Sequence, residues 1–420
     1  MSFVDSLDNL PAEDGAGRTK LFFSALERDW RGLFAELRQR RPVLDLPPFV
    51  VVSRWADVAD ILSRPGTFQV GYRPHMDPSV GPFMLARDNC EQNWRDKSVM
   101  RSLLRWSDVP GVRARAGQVA AERLAAGRRG NSIDIAQAVS RTVPLQIVRS
   151  YFGFPGPDEP TMLAWSRATQ ADMFYNLAGD PAVLAANVEA GTAMRAWLRD
   201  HLEQRRPWSA ITEDDVCARL LRMSAAGLSG LDTEAIVSNL CGLLVGAVET
   251  TSQAIVNATE QILLRPDIAA RAIAAARESD TAPLDAIVWE ALRFNPETSF
   301  VVRVAAEAAV LAPGSEHEIA IRPGRAIAAA IGSAMFDPSL FPEPDAFRER
   351  PRDAYLHMGL GLHECLGRFV AGAIVPETIR QILLMPGIGL LPDGGSRIDH
   401  GGGPFPERCV LACDGAEAHA

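Results

Sequence analysis

The chain has 420 residues and a mass of 45.5 kDa, enough for one large domain or two or three ordinary ones. Apolar residues make up 47% and charged residues 23%, which excludes disorder, collagen and coiled coil as descriptions of the whole. A net charge of −9 argues against a broad nucleic-acid-binding face. No run of about 18 apolar residues stands out, so no membrane helix is expected. The first twenty residues carry acids and no apolar segment, unlike a secretory signal. Six scattered cysteines fit a reduced cytoplasm better than a disulfide framework. Cys409 and Cys413 lack the second pair that a zinc site would need.

In chain order, Leu21–Arg38 has helical spacing, and the β-branched run Pro47–Trp55, bounded by prolines, predicts a strand. Residues 70–93 carry Gly71, Pro74, Pro78, Gly81 and Pro82 and predict a long loop. Helical pattern dominates about 93–293, and its longest uninterrupted stretch is Asp232–Arg265, closed by Pro266. About 295–370 short strands are expected at Phe300–Val304, Ile319–Ile321 and Ala326–Ile331, then a glycine-rich loop at Gly359–Gly367. A last helix follows, in which Pro376 predicts a kink or interruption. The expectation is a mainly α fold with a small β portion, in one compact unit.

The most informative stretch is His357-Met358-Gly359-Leu360-Gly361-Leu362-His363-Glu364-Cys365-Leu366-Gly367-Arg368. Its glycines permit positive φ and close backbone approach. Cys365 lies just before a helix, whose amides and dipole favour thiolate. From the residues alone three readings stand: a buried structural cysteine, a redox or nucleophilic cysteine with His363 beside it, or a thiolate ligand to haem iron. No dinucleotide fingerprint is present, because the third glycine and the preceding strand are missing.

This loop resembles the haem-binding signature of the cytochromes P450. Gly359, Gly361, His363, Cys365 and Gly367 match it, and Met358 stands where that family usually has phenylalanine. The family's E-x-x-R is similar to Glu290-Ala-Leu-Arg293, although the same spacing recurs at Glu203–Arg206, Glu349–Arg352 and Glu377–Arg380. Phe341-Pro342-Glu343-Pro344, opened by Asp337-Pro338, looks like its meander segment, with Met335-Phe336 as a departure. Gly246-Ala247-Val248-Glu249-Thr250-Thr251 resembles the motif on its central helix. The resemblance covers roughly residues 45–415 and implies a single P450-like domain over 1–420.

It also implies a chemistry. A haem b cofactor would be ligated by Cys365 and flanked by Gly359, Gly361 and Gly367. Its propionates would meet Arg303, His363, Lys97 (in place of the family's histidine) and Arg101, the last two one helical turn apart. Glu249 and Thr250 would relay protons in a locally widened helix. One atom of O2 would enter a small or medium apolar organic substrate contacting Phe83, Met84, Phe174, Leu243, Leu244, Ala247 and Val301. With no flavin or iron–sulfur segment in the chain, electrons would come from a ferredoxin- or flavodoxin-type donor and its reductase. A basic patch of Lys97, Arg101, Arg105, Arg113, Arg115 and Arg368 would suit an acidic donor. The alternatives are a peroxide-using or rearranging haem-thiolate enzyme, and a non-catalytic haem sensor.

Overall fold

Short β-branched runs and long amphipathic helices divide the chain unequally. The computed structural model describes residues 2–176, 179–228, 230–392 and 394–414. It groups the chain into two units, Met1–Gly71 with Thr298–Cys365, and Tyr72–Glu297 with Leu366–Ala420. The sequence suggests one unit; the junction at 297/298 lies where its composition changes, near residue 295.

The first unit holds strands β1 (Val43–Asp45), β2 (Val50–Val52), β3 (Phe68–Val70), β4 (Val301–Ala305), β5 (Ala309–Leu311), β6 (Ile319–Ile321) and β7 (Ala326–Ala329). Five of them form a sheet in the order β1-β2-β7-β4-β3, while β5 and β6 make a separate hairpin. The β2–β7 pairing is parallel and the other pairings are antiparallel. All three β2 valines are buried, which suits a central strand between two neighbours. Helix α1 (Gly15–Arg40) is longer than its apolar spacing suggests because it is two helices in series. Asp29 leaves helical geometry (φ −157°, ψ 78°) and accepts from the Gly32 amide at 2.9 Å, capping the second half. The apolar face of α1 (Phe22, Phe34, Leu37) packs with Phe3, Phe49, Val51 and Ala328 into one core.

The second unit is helical: α2 (Glu91–Leu103), α3 (Val109–Gly127), α4 (Glu159–Gln170), α5 (Pro181–Gln204), α6 (Thr233–Leu263), α7 (Ala282–Phe294) and α8 (Arg368–Leu383) are its main elements. Helix α6 is the axis, packed by α4, α5, α7 and α8. Asp232 starts it by accepting from the Ala235 amide at 2.8 Å. By length and composition α6 could cross a membrane, but 78% of its most apolar window is buried by protein.

Pro376 sits inside α8 without interrupting it. A proline removes the donor to the carbonyl four residues back. Here that carbonyl, Gly372 O, accepts instead from Arg113 Nη2 at 3.3 Å, and Arg113 is itself clamped by Asp285 at 2.6 and 3.1 Å. The close packing of α3 on α8 thus repairs the helix from outside.

Burial separates the repeated E-x-x-R spacings. Glu203–Arg206 is an exposed pair and Glu377–Arg380 is partly buried. Glu290 and Arg293, on α7, are both fully buried and joined twice, Nη2 to Oε1 at 2.6 Å and Nε to Oε2 at 3.1 Å. Removing one member strands the other's charge out of water. Arg293→Met is therefore expected to cost about 3–5 kcal/mol in urea unfolding, whereas Arg206→Met should cost under about 1 kcal/mol; equal losses would contradict this assignment.

Candidate active site

The cysteine loop closes on itself in the first unit. The Cys365 amide donates to Met358 O at 2.8 Å, the Glu364 amide to Gly361 O at 3.1 Å, and the Gly359 amide to Leu356 O at 2.9 Å. Gly359 (φ +69°) and Gly361 (φ +74°) need left-handed backbone. A methyl group at Gly361 would lie 2.7 Å from Leu62 O, whereas at Gly359 the nearest atom is 3.7 Å away. Gly367 differs from the expectation for it: its φ of −81° is ordinary, and it is the N-cap of α8, with no side-chain cap bond. This closure leaves Cys365 exposed, while Cys217, Cys241, Cys409 and Cys413 are buried. An accessible sulfur on a tight turn fits a thiolate ligand; it does not fit a buried structural cysteine. His363, in the same turn, is half-buried. Arg303 in β4 is buried, opposite Ile327 and Val70 in the sheet, and Val301 is half-buried at the start of that strand.

In the second unit, helix α6 is buried nearly all round, but Gly246, Ala247 and Thr250 keep accessible surface. Positions i, i+1 and i+4 share one face of a helix, and a methyl group at Gly246 would meet nothing within 4 Å. The Thr250 hydroxyl lies on this face and donates to Gly246 O at 2.8 Å. Glu249, about 100° further round, is fully buried. Its Oε1 accepts from Arg141 Nε at 2.9 Å and its Oε2 pairs with Arg167 Nη2 at 3.3 Å. Arg167 also pairs with Glu407 and lies 4.8 Å from the Phe405 ring centre. The expected hydroxyl–carboxylate neighbours therefore point different ways, and the carboxylate is held by two guanidinium groups. The local widening expected in this helix is also absent: α6 is α-helical throughout, and the π-helical turns lie at Ala136–Ser140 and Ala171–Tyr175.

Other expected contacts sort by burial. Phe83 packs its ring on Gly242, one turn before the accessible face of α6. Met84 is buried, and Phe174 is half-buried with its ring 5.6 Å from that of Tyr72. Leu243 is nearly enclosed; Leu244 is completely so and, by helical phase, lies off the accessible face. On α2, Lys97 is buried and Arg101 exposed, so only Lys97 is enclosed. The basic patch shrinks likewise, since Lys97 is buried and Arg113 is committed to Asp285 and Gly372 O.

Several residues were not legible in the sequence. Arg141 and Arg167 reach Glu249 from helical segments far away in the chain, and nothing local marks them. The Tyr175 hydroxyl and Gln253, one turn beyond Thr250, hydrogen-bond at 2.7–3.1 Å. Burial pushes that phenol up to about 12, with Glu297 and Glu249 adding to the effect. Glu297, just past α7, is pushed up to about 7 by burial.

A family model described as cytochrome P450 matches residues 191–383. A steroid C26-monooxygenase of Mycolicibacterium smegmatis is 24% identical over 81% of this chain and 81% of its own. An erythromycin C-12 hydroxylase of Saccharopolyspora erythraea is 27% identical over 81% and 82%. The solved structure of a cytochrome P450 from Chondromyces apiculatus, CYP109Q5, superposes with a TM-score of 0.74 at 22% identity, covering 94% of this chain and 97% of that one.

Two tests follow from the geometry. Gly361→Ala, forced against a carbonyl at positive φ, should lose about 1–3 kcal/mol of stability in urea melts, and Gly359→Ala about 1 kcal/mol; the reverse order would contradict the loop. Glu297 binds its proton more tightly folded than unfolded, so its penalty is absent below about pH 4.5 and grows until pH passes about 7. Glu297→Gln should match the native unfolding free energy at pH 4 and exceed it at pH 8, by on the order of 1–2 kcal/mol after screening.

The family model over residues 191–383, the relatives in two bacteria and the shared fold together support the reading of the chain as a bacterial-type cytochrome P450 monooxygenase.

Proposed function

We propose that Cys365 is the axial thiolate of haem b and that this enzyme inserts one atom of O2 into a predominantly apolar organic substrate. The observation that carries the reading is the accessible sulfur at the end of a loop closed by its own amide. When bound, a thiolate-ligated haem supplies O2 activation and oxygen-atom transfer. Arg303, His363, Lys97 and Arg101 are the proposed propionate partners, and of these Arg303 and Lys97 are buried.

The remaining groups do proton work. Thr250 presents its hydroxyl on the accessible face of α6, and turning it off Gly246 O frees it to donate toward that face. Glu249 reaches the same face only by leaving Arg141 and Arg167. We read this carboxylate as a swinging proton carrier with the two arginines as its resting place. The relatives, a steroid C26-monooxygenase and an erythromycin C-12 hydroxylase, support an organic substrate of some size.

For the electron donor we propose a small acidic ferredoxin or flavodoxin. The supporting surface lies in the second unit, where Trp106 is 67% exposed and its ring stands edge-on, 4.9 Å from that of the exposed Phe369. Arg105 and Arg368 adjoin the two rings in sequence, Arg101 lies four residues before Arg105 near the end of α2, and Arg115 follows on α3. Cations around an apolar centre suit an acidic partner with an apolar contact.

The ferrous–CO spectrum of the purified protein tests the ligand: the native protein should show the thiolate Soret position and Cys365→Ser should lose it. With a ferredoxin and its reductase, Glu249→Gln should lower kcat about 10²-fold and spill electrons into peroxide. Full turnover on peroxide alone, indifferent to Glu249, would favour the peroxide-using alternative.

A further inference from the structure

A proton carrier that rests on arginines must leave them to act, so the cost of release depends on what those arginines hold afterwards. The two hold Glu249 unequally. Arg141 gives both Nε and Nη2 to Oε1, at 2.9 and 2.5 Å, and its Nη2 also donates to Leu163 O at 3.0 Å. Arg167 makes one contact with Glu249, Nη2 to Oε2 at 3.3 Å. Its Nη1 goes to Glu407 Oε1, and its Nε meets no acceptor among the described residues. One guanidinium group is therefore shared between a fully buried carboxylate and one that is 43% exposed.

Glu407 is fixed by its own backbone. Its amide donates to Asp399 O at 2.8 Å, and Asp399 and Arg408 pair as a short antiparallel bridge. Its carbonyl accepts from Gln137 Nε2 at 2.7 Å, and Gln137 belongs to the π-helical turn Ala136–Ser140 that runs into Arg141. Phe405, buried two residues earlier, places its ring centre 4.8 Å from the Arg167 guanidinium. The tail turn thus meets Arg167 through side chains and is tied to the segment that leads into Arg141.

Two carboxylates and two guanidinium groups balance here. Arg141 and Arg167 are largely enclosed, at 19% and 25% exposure, and both lose a partner when Glu249 leaves. Stranding an enclosed charge is costly. With Glu407 present, Arg167 stays paired and stacked on Phe405, so only Arg141 is stranded. Without Glu407 both would be, and Glu249 would be held where it rests. We propose that Glu407 is a positioning residue for proton delivery: it keeps Arg167 paired when Glu249 departs, and so sets how readily that carboxylate is released. This rests on the reading of Glu249 as a proton carrier and names the group that governs its release.

The test uses the haem-loaded enzyme in its ferrous form, with carbon monoxide as the probe. The infrared C–O stretch responds to charged and polar groups that reach the bound gas. A band present in the native protein and lost in Glu249→Gln marks the released carboxyl. Glu407→Gln should shrink the share of that band about threefold, the scale of a half-exposed ion pair, and Glu407→Asp should keep most of it. Arg167→Gln removes the shared hold, so the band should grow, and adding Glu407→Gln to that variant should change nothing further. A merely structural role for Glu407 would act in both backgrounds. A Glu249-dependent band indifferent to Glu407→Gln, or an effect of Glu407→Gln that persists without Arg167, would overturn the proposal and leave the carrier reading intact. The absence of any Glu249-dependent band would sink the carrier reading, and the proposal with it.

Discussion

An ionised group taken out of water must find an opposite charge, and this constraint organises the second unit. Glu290 and Glu249 are fully buried, and each is met by guanidinium groups within hydrogen-bonding distance. The first pair is local, on one helix. The second gathers three separate segments: α6 carries the carboxylate, α4 carries Arg167, and Arg141 stands where a π-helical turn gives way to the helix starting at Thr142. Replacing either acid by an apolar residue would remove a desolvation cost. It would also remove what fixes where these helices meet, and at Glu249 a group that can carry a proton.

The difference between those two pairs explains what the sequence could reveal. Local spacing found Glu290–Arg293, but the same spacing found three other candidates, and only burial tells them apart. Strands read well for the same local reason: Ile319–Ile321 is a strand at its predicted bounds, and the long helix starts from Asp232, its N-cap, where its expected stretch begins. Pro376 misleads because its cost is offset from another helix. Arg113 supplies the donor that the proline lacks, and no window around residue 376 contains that fact. The arginines of Glu249 were invisible for an equivalent reason.

The cysteine loop shows how glycine serves two separate needs. At Gly361 the obstacle is both φ and space, since Leu62 O occupies the place of a side chain. At Gly359 it is φ alone. Gly367 needs neither, so its match to the family pattern concerns the entry to α8 and not backbone strain. Three matched glycines thus carry three different physical burdens, which pattern matching weighs equally.

The accessible face of α6 ties these threads together. A helix this apolar would ordinarily be sealed, and most of its turns are. The break comes where the side chains are smallest, at Gly246 and Ala247, and where Thr250 satisfies its hydroxyl on the helix's own backbone. Small residues open the space and the threonine leaves it without an unmet donor. Glu249 is kept off it by arginines and reaches it only through a change of partner, so the fold holds this carboxyl as a carrier that must be released before it can act.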